Sequence, residues 1–116
     1  MNSPEAQEAA SKMLGHCGDA ETQDVMNACY AMEFKKSDDW LNQVYRDVLR
    51  QLSSEDQQRV RAAQRAWLYY RDLHCGAVGA VQVGGGSLEP TVVYGCRTGL
   101  TVARAKEIEN DYRAAE

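Results

Sequence analysis

The chain has no apolar run approaching the roughly 20 residues that a membrane span needs. No close C-x2-4-C pair is present, the spacing by which zinc sites usually announce themselves. Lys and Arg are outnumbered, 13 to 17, by Asp and Glu, and the net charge is -4. Nucleic acid is therefore excluded as a partner, because phosphate binding needs concentrated positive charge. Residues 1–10 are polar and lack the apolar core of a signal peptide. There is no internal repeat, and no G-x-S-x-G elbow for a nucleophilic serine. No pair of carboxylates is set apart by its spacing for acid–base work. A catalytic function is not expected, and neither is a cofactor or a metal.

What remains is a short acidic chain of ordinary globular composition. Its 116 residues suffice for one domain with one core. Such a chain buries roughly two-thirds of its unfolded surface. The acidic balance suits a cationic partner.

The four cysteines Cys17, Cys29, Cys75 and Cys96 form an even, widely spaced set. In so short a chain this pattern reads as two disulfides, hence an oxidising compartment. A Cys/His metal site and free thiols are the alternatives, since His16 and His74 each adjoin a cysteine. Periplasmic or secreted localisation follows from the disulfide reading. The sequence then corresponds to a mature form, its signal peptide removed and a start Met added.

Residues 1–16 read as an N-terminal tail with a short helix around 5–14, preceding a helical domain at 17–116. Thr22 is a plausible N-cap with Asp24 in the first turn. No Gly or Pro occurs from Val25 to Leu52, and apolar residues recur three or four apart at Met26 and Cys29, then at Leu41, Val44 or Tyr45, Val48 and Leu52. One long helix is favoured over two helices broken at the polar patch of residues 35–38. Ser54 and Gln57 fit a capping box for a second helix running to about His74. Its stripe is read as Val60, Ala63, Trp67, Tyr70 or Arg71, and His74. A His at a helix end suits the dipole, a more ordinary role than that of a general base.

Residues 76–95 are Gly- and Val-rich without a helical period. They read as a long loop, with a short β-ribbon around Gly84-Gly85-Gly86 as an option. A final helix over about 98–114 is marked by Leu100 or Thr101, Arg104, Ile108 and Tyr112. The fold class is thus all-α: a long antiparallel helical hairpin, a Gly-rich loop and a C-terminal helix.

The hairpin also predicts a cysteine pairing. With the turn near Ser53, residues at one level have numbers adding to about 106. Cys29 then lies level with about residue 77, which favours Cys29–Cys75 and leaves Cys17–Cys96. A Cys17–Cys29 bridge would count against that register. The same arithmetic sets Asn42 opposite Gln64 and Trp40 near Trp67.

Taken in order, several residues resemble a known family. They are Thr22-Gln23, Met26-Asn27 and Cys29, then Leu41-Asn42 and Tyr45, then Ala63-Gln64-Arg65-Ala66-Trp67, Tyr70-Arg71-Asp72 and Cys75. Gly85-Gly86-Ser87, Cys96, Thr101 and Arg104 complete the series. The series is similar to the LprI-like lysozyme inhibitor domains of bacterial secreted, periplasmic and lipoprotein contexts. It covers about residues 17–108. Val25, where the family more often has an acidic residue, and the longer Gly–Val segment at 78–86 are departures. The resemblance implies a helical, disulfide-linked exported domain. Its name implies inhibition of lysozyme, an activity of particular members. The partner is then a lysozyme-type enzyme or another protein or cell-wall fragment of the envelope, in which case the domain is a structural or interaction module.

Gln23, Asn27, Asn42 and Gln64 lie near the apolar stripes and read as a hydrogen-bonded network fixing register. Trp67 and Arg71, four apart, are placed to stack. Asp72 is a partner for Arg104 or Arg71, tying the last helix to the hairpin. For binding, the glycine-rich segment between Cys75 and Cys96 is the candidate surface, with Ser87, Leu88, Glu89 and Tyr94 as contacts. The simpler reading of Ser87 and its glycines is a tight turn.

Overall fold

The computed structural model describes residues 4–113, and all regular structure among them is helical. Helix α1 (Pro4–Lys12) leads through a single 3-10 turn (Cys17–Asp19) to α2 (Gln23–Arg50). Helix α3 (Ser54–Val83) and helix α4 (Glu89–Asp111) follow. The expected short first helix is α1, and the expected single long helix is α2. The C-terminal residue of the expected last helix, Ala114, lies outside the described residues.

Local signals explain these boundaries. Thr22 caps α2, its Oγ1 accepting from the Val25 N–H at 3.1 Å. The cap of α3 is Ser53 rather than Ser54: Ser53 Oγ accepts from Asp56 N–H at 3.1 Å. Gln57 does not close a capping box. Its Nε2 donates to the Leu49 carbonyl at 2.7 Å and so clamps the α2–α3 turn.

The largest departure from expectation lies in the glycine-rich region. Helix α3 continues nine residues beyond His74, to Val83, and α4 begins at Glu89 rather than near Thr98. The long loop shrinks to a tight turn with no β-ribbon. The turn is made by Gly84, Gly85 and Gly86, all at positive φ (62°, 97° and 85°), a region costly for residues with a Cβ. Gly84 ends α3 in the left-handed conformation, its N–H donating to the Ala80 carbonyl at 2.9 Å. Gly76 and Gly79 stand inside the helix, where glycine is a poor helix former. Packing compensates at Gly79. A Cβ there would lie 2.6 Å from Val93 Cγ2, so its absence lets α3 and α4 approach.

Helix α4 packs against both α2 and α3, whereas α2 and α3 make far fewer close backbone approaches to each other. Helix α4 runs antiparallel to α3, with Cys96 bridged to Cys75, Arg71 bonded to Thr101, and Arg104 to Gln64. It runs parallel to α2, with Thr91 at the level of Gln23 and Asn27, and Ala105 and Ile108 packed with Leu41 and Val44. A second apolar cluster docks α1 on α2 through Ala6, Ala10, Cys17, Ala28 and Cys29, where small side chains permit close approach.

The disulfides are Cys17–Cys29 and Cys75–Cys96, which corrects the expected Cys29–Cys75 and Cys17–Cys96 pairing. The axial register itself is close to the expected one: Arg71 bonds Asp38, and Gln57 bonds Leu49. Level along an axis does not specify direction around it. Cys29 faces the 3-10 turn and α1, while Cys75 faces α4. The early start of α4 brings Cys96 level with Cys75. Treating residues 76–95 as a loop hid that neighbour.

Candidate functional site

Two polar networks join the helices. The upper one begins at the start of α2. Gln23 Nε2 donates to Asn27 Oδ1 at 2.8 Å and to Thr91 Oγ1 at 2.9 Å, and Thr91 Oγ1 donates to Asn27 Oδ1. Asn27 Nδ2 donates to the Ser87 carbonyl at 2.9 Å. This ties the three-glycine turn and the first turn of α4 to α2. With Gly84–Gly86 in a restricted backbone and Pro90 in the first turn of α4, the tip is built rigid.

The lower network lies between α3, α4 and α2. The Arg71 guanidinium is buried and meets Asp38 Oδ1 at 3.2 Å, Asp72 Oδ1 at 3.0 Å and Thr101 Oγ1 at 3.2 Å. It stacks over Phe34 at 4.9 Å and Trp67 at 5.3 Å. Arg104, also buried, donates to Gln64 Oε1 at 3.0 Å and pairs with Glu107. A buried guanidinium is tolerated only where its donors find acceptors, and these residues supply them.

The structure brings together most of the residues singled out from sequence, but not all. Gln23 and Asn27 share one network, and Gln64, Trp67, Arg71, Asp72 and Arg104 share the other. Asn42 belongs to neither: its side chain is exposed, and Gln64 is turned to Arg104. Asp72 pairs with Arg71 and with Arg97 at 3.5 Å, not with Arg104. Of the alternatives on α3, Arg71 faces inward while Ala63, Tyr70 and His74 face solvent. His74 is not at a helix end. It sits in mid-helix and stacks on Tyr70 with ring centroids 5.3 Å apart. Trp40 is exposed on α2. Thr91 and Asp38 carry no spacing signal in the sequence, one lying in a Gly–Val segment and the other in a charged patch, and Arg97 precedes the expected start of the last helix.

Among the proposed contacts, Ser87 and Leu88 are exposed at the tip, and Glu89 is half-buried against Gly79. Tyr94 is set apart, packed on Phe34 with centroids 6.0 Å apart and facing Arg97. Residues 13–34 and 72–96, which form most of this end of the bundle, contain no Lys or Arg, and α1, docked on Ala28 and Cys29, adds Lys12 beside Glu5 and Glu8. The two segments carry Asp19, Glu21, Asp24, Glu33, Asp72 and Glu89, with Leu88 and Val81 as exposed apolar side chains. This end is an anionic surface around a rigid apolar point. Elsewhere, the outer face of α3 exposes Tyr69, Tyr70 and Leu73. No group of three or more His, Cys, Asp or Glu among the described residues is placed to hold a metal. No helix among them is long and apolar enough to cross a membrane.

The chain is thus a four-helix, two-disulfide domain with a turn stapled to α2, its neighbour distant in sequence. The profile of the family described as "Lysozyme inhibitor LprI" matches residues 15–108, and the chain belongs to that family. The family description is of an inhibitor, not of a catalyst. An uncharacterized protein of Rhizobium meliloti (strain 1021) is 32% identical over 113 residues, covering 86% of this chain and 81% of the relative. No solved structure gives a significant match.

Proposed function

We propose that the protein is an exported inhibitor of a lysozyme-type muramidase, acting by occlusion with no chemistry of its own. Family membership supports the activity class. The two disulfides support an oxidising, extracytoplasmic setting. The observation that carries the mechanism is the turn of residues 84–88, held to α2 by Asn27 at the acid-rich end of the molecule. A rigid tip loses little conformational entropy on entering a cleft. Its surrounding carboxylates speed encounter with a basic enzyme. Leu88 and Ser87 enter the cleft in this reading, with Glu89 at its rim, while Tyr94, packed on Phe34, is not a contact. The test is a lytic assay on cell-wall substrate with lysozymes of several classes. Dose-dependent inhibition at micromolar protein is expected, and no inhibition of any class at that concentration overturns the reading.

A second reading, an interaction module without inhibitory activity, is favoured by the exposed Tyr69, Tyr70 and Leu73 on α3. Aromatic side chains clustered on a surface mark protein contacts. Substituting Tyr69 and Leu73 with Ser leaves lytic inhibition unchanged under the first reading. Under the second, inhibition is absent and the substitutions abolish binding to an envelope partner.

A further inference from the structure

A groove runs along the seam of α2 and α4, well removed from the tip. Two adjoining depressions, of about 370 and 500 Å³, share Trp40 as a common wall. The first lies among Leu14, Glu33, Lys36, Thr98 and Val102. The second lies among Gln43, Asp47, Gln51, Glu109 and Arg113, with Val44 and Val48 beneath. From Glu33 to Gln51 the groove follows α2 for about 27 Å at the helical rise. Trp40 stands about 20 Å along α2 from Asn27.

We infer that this groove binds an oligosaccharide, with one sugar ring stacked on the Trp40 indole. Trp40 keeps 39% of its surface in solvent at the centre of an elongated groove. A flat indole presents a negative face to the C–H bonds of a pyranose. Two carboxylates and two amides, Asp47, Glu109, Gln43 and Gln51, follow on one side of Trp40 and Glu33, Ser37 and Thr98 on the other, and such groups pair with sugar hydroxyls. The existing partners of Gln43 and Asp47 are cheap to exchange, whereas Glu33 is already held by the Gly15 N–H. The Gln43–Asp47 and Arg50–Asp47 contacts are exposed and lie within one helix, a class of pair worth little in water.

Other occupants fit less well. A peptide in β-conformation gains its affinity by joining a strand edge, and there is no strand among the described residues. An amphipathic helix needs a continuous apolar trough, whereas the second depression is rimmed by five polar side chains. A nucleic acid strand meets three carboxylates, Glu33, Asp47 and Glu109, against two cations, Lys36 and Arg113.

The experiment is a two-dimensional NMR titration of the intact 15N-labelled protein with cellotetraose and with tetra-N-acetylchitotetraose. The Trp40 indole N–H and the Gln43 and Gln51 side-chain amides should shift saturably with at least one of these sugars. Trp40→Ala should weaken that binding about tenfold while leaving the helical CD spectrum and any lysozyme inhibition unchanged. Should Trp40→Ala perturb folding, Gln43→Ala with Gln51→Ala supplies the same comparison on an exposed rim. Absence of a saturable shift at 10 mM of either sugar, saturable shifts confined to the outer face of α3, or full affinity in the variants overturns the assignment.

Discussion

Asn27 and Ser87, sixty positions apart in the chain, are joined by one hydrogen bond from a side-chain amide to a backbone carbonyl at 2.9 Å. Through it the start of α2 holds the turn between α3 and α4. The same Asn27 accepts from Gln23 and Thr91, so one side chain sets the position of the turn and of the first turn of α4. Asn27→Ala removes three part-exposed hydrogen bonds and should cost about 1–3 kcal/mol of stability. It should also speed amide exchange across residues 84–88 and weaken inhibition several-fold. Unchanged exchange at the turn would show that the glycines alone fix it.

The two glycines inside α3 should respond in opposite directions to the same change. Gly79→Ala places a methyl 2.6 Å from the stiff Val93 side chain. It should destabilise the fold by about 1–3 kcal/mol, the usual cost of overpacking. Gly76 has open space around its missing Cβ, so Gly76→Ala should stabilise by about 0.5–1 kcal/mol through helix propensity. Thermal melts of both variants decide the matter. Equal shifts of the melting temperature would mean that α3 and α4 do not approach closely at Gly79.

Mass mapping of the unreduced protein should recover Cys17 linked to Cys29 and Cys75 linked to Cys96. These bridges close spans of 12 and 21 residues, which in the chain-entropy model stabilise by about 3 kcal/mol each. Replacing Cys75 and Cys96 together by Ala should lower the melting temperature and leave a helical CD spectrum at low temperature. Recovery of a Cys29–Cys75 peptide would overturn the placement of α4.

Inhibition of a basic enzyme should weaken as salt rises from 0.05 to 0.5 M, because exposed charges are screened over a shortening Debye length. Glu21→Lys with Asp24→Lys, both exposed at the tip end, should slow association and leave dissociation nearly unchanged. The measurement is surface-based kinetics at two ionic strengths. Salt-independent association would remove the electrostatic part of the mechanism.

Legibility in the sequence followed periodicity. Helix α2 lacks glycine and proline and was readable end to end, down to the Thr22 cap. The inward stripe Thr101, Arg104 and Ile108 of α4 was readable for the same reason. The junction of α3 and α4 was not. Gly76, Gly79 and a run of valines have weak helical preference, and what stabilises helix there is close packing on a neighbour distant in sequence. The cysteine pairing failed through that gap, since the true neighbour of Cys75 lay in residues taken for loop. The amide pair Gln23 and Asn27 was recognised as a network, but its acceptor at Ser87 and its third member Thr91 lay within the misread segment. Asn42 shows the converse error: its position near an apolar stripe did not place it inward.

The most direct test of the account is to map the bound surface by hydrogen exchange on the complex with an inhibited lysozyme. Protection should concentrate at residues 84–90 and at the start of α2 around residues 21–27, and Leu88→Asp should abolish it. Protection confined to the outer face of α3 around Tyr69 and Leu73, with the tip unchanged, would contradict the account.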